Sequence, residues 1–131
     1  MNVLKKSTAP RYQRDHITSY LLAAAATCSA RNLAISLVEM EPGGVQHLHS
    51  HEPEQTYFIL EGSGLMTVGG VSEQVGPGDC IFIPSWAEHG LQNRSAGVLR
   101  YLSAASPSFT AEECRTLWPL PSINEPSGSS R

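Results

Sequence analysis

Turn residues cut this chain so finely that a helical fold has little room. Pro42-Gly43-Gly44, Glu61-Gly62-Ser63-Gly64, Gly69-Gly70, Gly76-Pro77-Gly78-Asp79 and Pro84 divide its middle into short pieces. Glycine opens the φ > 0 region and proline removes a backbone donor, so both interrupt regular elements. The pieces between are rich in aliphatic, β-branched and aromatic residues. Leu33–Glu41 and Gln55–Leu60 read as strands, and Leu65–Val68 with Val71–Val75 reads as a hairpin about Gly69-Gly70. Cys80–Ile83, Gly90–Asn93 and Gly97–Ser103 read as three more. Pro77 and Gly78 stand where a type II turn wants them. Many short strands with no long helical pattern between them predict an all-β sandwich or barrel.

The flanks are less regular. In Ile17–Ala25 the alanines favour helix while Ile17, Thr18 and Tyr20 favour strand; a strand is expected. Residues 1–15 are polar and are expected to form an N-terminal arm with little share in the core. Thr110-Ala111-Glu112-Glu113 has the form of a capping box and predicts one short C-terminal helix to Leu117. The expected organisation is the arm (1–15), a barrel domain (16–120) and a disordered tail (121–131).

Within this frame, Gly43–Gly62 holds three of the five histidines. His47, His49 and His51 are spaced two apart, so an extended backbone would aim three imidazoles into one space. Neutral imidazole is the commonest protein ligand for a borderline metal ion. Gln55 and Tyr57 have the same parity on the next strand. Taken alone, the string His47–His51 fits a solvated histidine-rich loop equally well.

Composition narrows the function classes. A chain of 131 residues suits one domain with a core, and 40% hydrophobic with 16% charged residues is ordinary for a globular protein. A net charge of −3 gives no electrostatic footprint for nucleic acid or an anionic membrane. No apolar run approaches a membrane span, and no apolar stretch follows the basic N-terminus as in a secretory signal. Cys28, Cys80 and Cys114 form neither a zinc-finger spacing nor a disulfide framework; reduced thiols in the cytoplasm are expected.

Two spaced motifs then give the chain a family resemblance. Gly43, His49, His51, Gln55 and Gly62 follow G-x(5)-H-x-H-x(3)-E-x(6)-G, except that Gln55 stands where the pattern has Glu. Gly78, Pro84, His89 and Asn93 follow G-x(5)-P-x-G-x(2)-H-x(3)-N, with Trp86 at the middle Gly. In order and joined by a hairpin, they make residues 33–104 resemble the cupin superfamily. The resemblance implies a double-stranded β-helix, or jelly-roll barrel. It implies a divalent transition metal (iron, manganese, zinc, nickel or cobalt) on His49, His51, Gln55 and His89, and a homodimer.

The departure at Gln55 has a consequence. An amide oxygen can coordinate but cancels no charge, so an ion on three imidazoles and an amide keeps its +2 and favours an anionic partner. Glu54 through a bulge, or His47, are other fourth ligands, and Glu52 could orient a histidine. Tyr57 resembles the general base of cupin lyases that cleave dimethylsulfoniopropionate, which lies two residues after the carboxylate ligand; as barrel filling it would need only a hydrogen-bond partner. Either Arg100 or Tyr101 points inward, and an inward Arg100 would bind a carboxylate. Cys80 is expected to be buried packing, and Trp86 can wall the pocket mouth. The expected function is a mononuclear metal enzyme, dioxygenase-like or of the lyase or decarboxylase type, acting on a small anionic organic molecule in the barrel. A module that binds or senses a small ligand or metal without turnover is the alternative.

Overall fold

The computed structural model describes residues 1–109; the expected C-terminal helix and tail lie outside them. After a 3-10 turn at Lys6–Thr8 come β1 (Arg11–Arg14), β2 (Ile17–Leu21) and a single helical turn α1 (Ala25–Cys28). Then follow β3 (Ala34–Met40), β4 (Val45–His49), β5 (Glu54–Glu61), β6 (Gly64–Val68), β7 (Val71–Val75), β8 (Cys80–Ile83), β9 (His89–Gln92) and β10 (Leu99–Ser106). They form two antiparallel sheets, one in the order β1-β2-β3-β10-β5-β8 and the other β4-β9-β6-β7. The turn pattern called for an all-β sandwich or barrel, and the two sheets form the jelly roll that the resemblance implies. No described helix is long and apolar enough to cross a membrane.

The turns do what their residues predict. Val68 pairs with Val71 across Gly69-Gly70, whose φ angles of 57° and 83° are those of a primed hairpin turn. Gly78 has φ 90°, and Asp79 N–H closes the turn onto the Gly76 carbonyl at 3.0 Å. Gly62, at φ 79°, is fixed by space as well: a Cβ there would overlap the Val98 carbonyl oxygen and lie 2.9 Å from Leu99 Cα.

Alternation divides each inner face into an apolar and a polar end. Met40 and Val38 lead to Ser36 on β3, Leu99 and Tyr101 to Ser103 on β10, and Ile59 and Tyr57 to Gln55 on β5. On β9, Leu91 leads to His89. The apolar ends pack with Met66, Val75 and Ile83 into the main core. Each large aliphatic buried there contributes about 1.5–3 kcal/mol. The polar ends surround a cavity. Asn93 ties the sheets together: its side-chain amide donates to the Met40 and Gly97 carbonyls at 2.9 and 2.8 Å, and its backbone N–H to the Gly44 carbonyl.

Several expectations change. The strand from Ile17 stops at Leu21, because Thr27 caps the next turn through Ala24 N–H and Ser29, at φ 61°, ends it. The N-terminal segment is not wholly peripheral: Arg11–Arg14 pair with β2, and Tyr12 is buried. Cys80 is exposed, since Phe58, Leu60, Cys80 and Phe82 project from the outer face of the larger sheet. Tyr101 points inward. Arg100 points outward and pairs with Glu39 and Glu61, because a register shift against β5 carries Glu61 to the outer face beside it.

Candidate metal centre

Three of the histidines meet at the polar end of the barrel. His49 closes β4, His51 follows in the loop, and His89 opens β9 directly across from His49. One ligand nitrogen from each lies within 4.8 Å of the others. His51 and His89 are buried and His49 is half-buried.

The proton positions follow from the carbonyls nearby. Each ring places Nδ1 at 2.9 Å from a backbone carbonyl: His49 on His47, His51 on Pro53 and His89 on Ala87. A carbonyl only accepts, so each Nδ1 carries a proton, and a ring holding that proton alone presents its Nε2 lone pair. That is how second-sphere carbonyls fix a ligating imidazole. Two contacts show that the site suits a cation. His89 Nε2 is sealed from solvent and has no hydrogen-bond partner among the described residues, which costs about 1–3 kcal/mol unless something binds it. His51 Nε2 faces Gln55 Oε1 at 3.0 Å, two acceptors that a shared cation or an added ring proton reconciles. The residues present therefore fit a metal ion.

Burial also disfavours the charged form of two of the rings, His89 and His49. It pushes the His89 pKa down to about 4, only partly opposed by the Ala87 hydrogen bond. It lowers that of His49 too, against the His47 carbonyl and with smaller contributions from His51 and Arg14. A depressed histidine favours folding while it stays neutral. As pH falls below 6.5 the unfolded chain takes up the proton first, and the folded chain follows only near 4. Metal-free protein is therefore expected to lose on the order of 2 kcal/mol between pH 6.5 and 4 as His89, beside His49 and His51, takes up its proton. Chemical denaturation across that range, with chelator present, checks this; a flat profile would contradict the neutral-ring assignment.

Gln55 is buried beside the cluster, and its amide Nε2 lies 2.6 Å from Ser103 Oγ. Because Ser103 can accept, the amide oxygen is free to face the histidines. Tyr57 is buried one step further along β5 and donates its O–H to Gln46 Oε1 at 2.9 Å. Burial lifts its pKa to about 12, opposed by its bonds to Gln46 and Tyr101, so near neutral pH it holds its proton. Tyr101 stacks on it with centroids 4.3 Å apart and accepts from Gln46 Nε2 at 3.3 Å.

The strand parity expected for His47, His49 and His51 does not hold. A register shift between Gln46 and His49 turns both of those residues inward and leaves His47 exposed at the rim, outside the cluster. Glu52 and Glu54 are exposed. Trp86, 64% exposed, is absent from the cavity wall. Gln46, Ser103 and Arg14 were not foreseen as site residues. A polar residue at the end of an otherwise apolar inner face could have signalled Ser103, whereas nothing in β4, which reads Val-Gln-His-Leu-His, marks Gln46.

The cavity has a volume of about 300 Å³ and runs from the histidines towards β1 and β2. This barrel, with convergent imidazoles at one end, is the architecture of a cupin. Residues 36–105 match the cupin domain family, and the chain belongs to it. It is 36% identical over 85 residues to the dimethylsulfoniopropionate lyase DddW of Ruegeria pomeroyi, across 65% of this chain and 56% of that lyase. The chain thus spans little more than half of that longer protein. It is 32% identical over 87 residues to an uncharacterised protein of Methanocaldococcus jannaschii, covering 66% of this chain and 69% of that one. Among solved structures it is similar to the polyketide cyclase RemF of Streptomyces resistomycificus, with TM-score 0.69, 27% identity and 86% and 89% of the two chains covered. A predicted oxalate decarboxylase of Thermotoga maritima shares the fold at TM-score 0.72 and 19% identity, over 80% of this chain and 98% of that one.

Proposed function

We propose that this chain is a metal-dependent lyase or decarboxylase acting on a small anionic organic molecule inside the barrel. A divalent transition metal is held by His49, His51 and His89, with the Gln55 amide oxygen as fourth ligand. The observation that carries this reading is the sealed, unpartnered His89 Nε2, facing two more imidazoles whose protons are held on the far side. The bound ion supplies Lewis acidity. No carboxylate belongs to the ligand set, so the ion's charge stays available to an anionic ligand. Gln46 fixes the Tyr57 hydroxyl beside the cluster. There Tyr57 can deliver a proton, or accept one once a positive charge has lowered its pKa. The lyase named among the relatives supports elimination chemistry over oxidation. The absence of a carboxylate ligand at position 55 also favours a second reading, a binding module without turnover.

The test loads the purified protein with each of the five metals. It is then incubated with dimethylsulfoniopropionate and a panel of small carboxylic acids, with products followed by NMR and oxygen by electrode. Elimination or loss of carbon dioxide without oxygen uptake supports the proposal. Oxygen consumed with each turnover would replace it by a dioxygenase, and saturable binding without product by the binding module.

A further inference from the structure

The cavity has a second polar pole, away from the histidines. Ser36 on β3 is directly opposite Ser103 on β10. Ser19 on β2 is opposite Val38 and therefore diagonal to Ser36 on the same inner face. Both serines are more than nine-tenths buried, at 5% and 7% exposure, and both line the cavity. Neither hydroxyl has a hydrogen-bond partner among the described residues, and neither is sealed from the cavity as His89 Nε2 is. Two buried hydroxyls left open to a cavity are donors awaiting an acceptor.

Arg14 stands above them. On β1 it shares a face with the buried Tyr12, which is opposite Ser19, so Arg14 is the diagonal neighbour of Ser19. It is the one Lys or Arg on the described cavity wall, and it forms no ion pair or hydrogen bond with a described residue. Its charge reaches His49, whose protonation it disfavours. Asp15, the one carboxylate on the described wall, follows in the β1–β2 turn and does not pair with it. A guanidinium and two open hydroxyls make a donor set for a carboxylate.

We propose that Arg14, Ser19 and Ser36 form an anion subsite, taking a carboxylate of a ligand whose other oxygen-bearing group lies at the histidine cluster. The ligand class is a small bifunctional acid: a dicarboxylate, or a hydroxy or oxo acid with its carboxylate at the far end. This rests on the metal reading above, because the other end of the ligand is placed by the ion. It also gives the N-terminal strand a part in specificity.

Calorimetry on the metal-loaded protein tests it, with malonate, succinate and glutarate set against the equally long propionate, butyrate and pentanoate. At least one dicarboxylate is expected to bind about tenfold or more tighter than its monocarboxylate counterpart. Arg14→Gln, and separately the double variant Ser19→Ala/Ser36→Ala, should each remove most of that preference while metal content and monocarboxylate affinity hold. A preference that both variants retain, or no preference in the wild type although monocarboxylates bind, would overturn the subsite and leave the metal reading standing. Metal-loaded protein that binds no acid at all would overturn the subsite and the anionic-ligand reading together.

Discussion

His89→Ala is expected to strip the protein of its metal while leaving a folded barrel. Structural four-donor sites of zinc-finger peptides bind zinc with about 10–16 kcal/mol at neutral pH, which sets the scale. Removing one buried donor of four is then expected to weaken affinity by on the order of 10² to 10³. Elemental analysis after purification, and competition with a fluorescent chelator, measure this directly. His89 suits the test because its Nε2 has no other partner among the described residues, so loss of the ring breaks no hydrogen bond on that side. The bond lost, from Nδ1 to the Ala87 carbonyl, leaves one backbone acceptor to find water. The same variant should flatten the acid sensitivity of the metal-free protein, because the ring that resists protonation down to about 4 is gone. Wild-type affinity in His89→Ala, read by the chelator competition, would refute the centre outright. Loss of metal with unchanged acid sensitivity would keep the centre but not the assignment of the acid effect to this ring.

Tyr57→Phe separates chemistry from binding. If the phenol moves a proton in the reaction, kcat should fall by about 10² to 10⁴, with metal content unchanged and KM altered little. If the ring only fills the barrel, the phenyl group replaces most of what it does. The cost would then be about 1 kcal/mol of stability for the lost bond to Gln46, and turnover would be retained. Gln46→Leu is the companion variant. It removes the group that orients the hydroxyl without touching the ring, so a drop in kcat smaller than that of Tyr57→Phe would mark Gln46 as a positioning residue. Unchanged kcat in Tyr57→Phe, with wild-type metal, would remove Tyr57 from the chemistry.

The barrel was legible because its turns carry their own chemistry. Gly69-Gly70 and Gly76–Asp79 announce their geometry residue by residue, and the strands between them alternate cleanly enough to set their faces. What escaped were places where alternation fails or never forms. β1 reads Arg-Tyr-Gln-Arg, and a single apolar anchor cannot be told from a polar arm until β2 is seen beside it. The register shift between Gln46 and His49 is invisible in a string of polar residues, yet it decides that Gln46 and not His47 reaches the interior. The shift opposite Arg100 likewise puts Glu61 where an arginine on the outer face can meet it. At Ala25–Cys28 the alanine run followed its helix propensity after all, once Thr27 and Ser29 supplied the ends. His49, His51 and His89 could be picked out because their spacing recurs with the turns around it. Their convergence needed the fold, since it joins a strand end, a loop and a second strand.

The two strands that carry the histidines are held unequally. β9 has a neighbour on both sides, and Asn93 just beyond its end anchors it to the other sheet. β4 is an edge strand, paired with β9 alone among the described strands. Fluctuations that expose backbone begin at such edges. The rate at which an ion enters or leaves should therefore follow the fraying of β4, with His49 as the gate, while His51 and His89 stay in place. Amide exchange along Val45–His49 and metal off-rate should then rise together with temperature, well below the melting of the barrel.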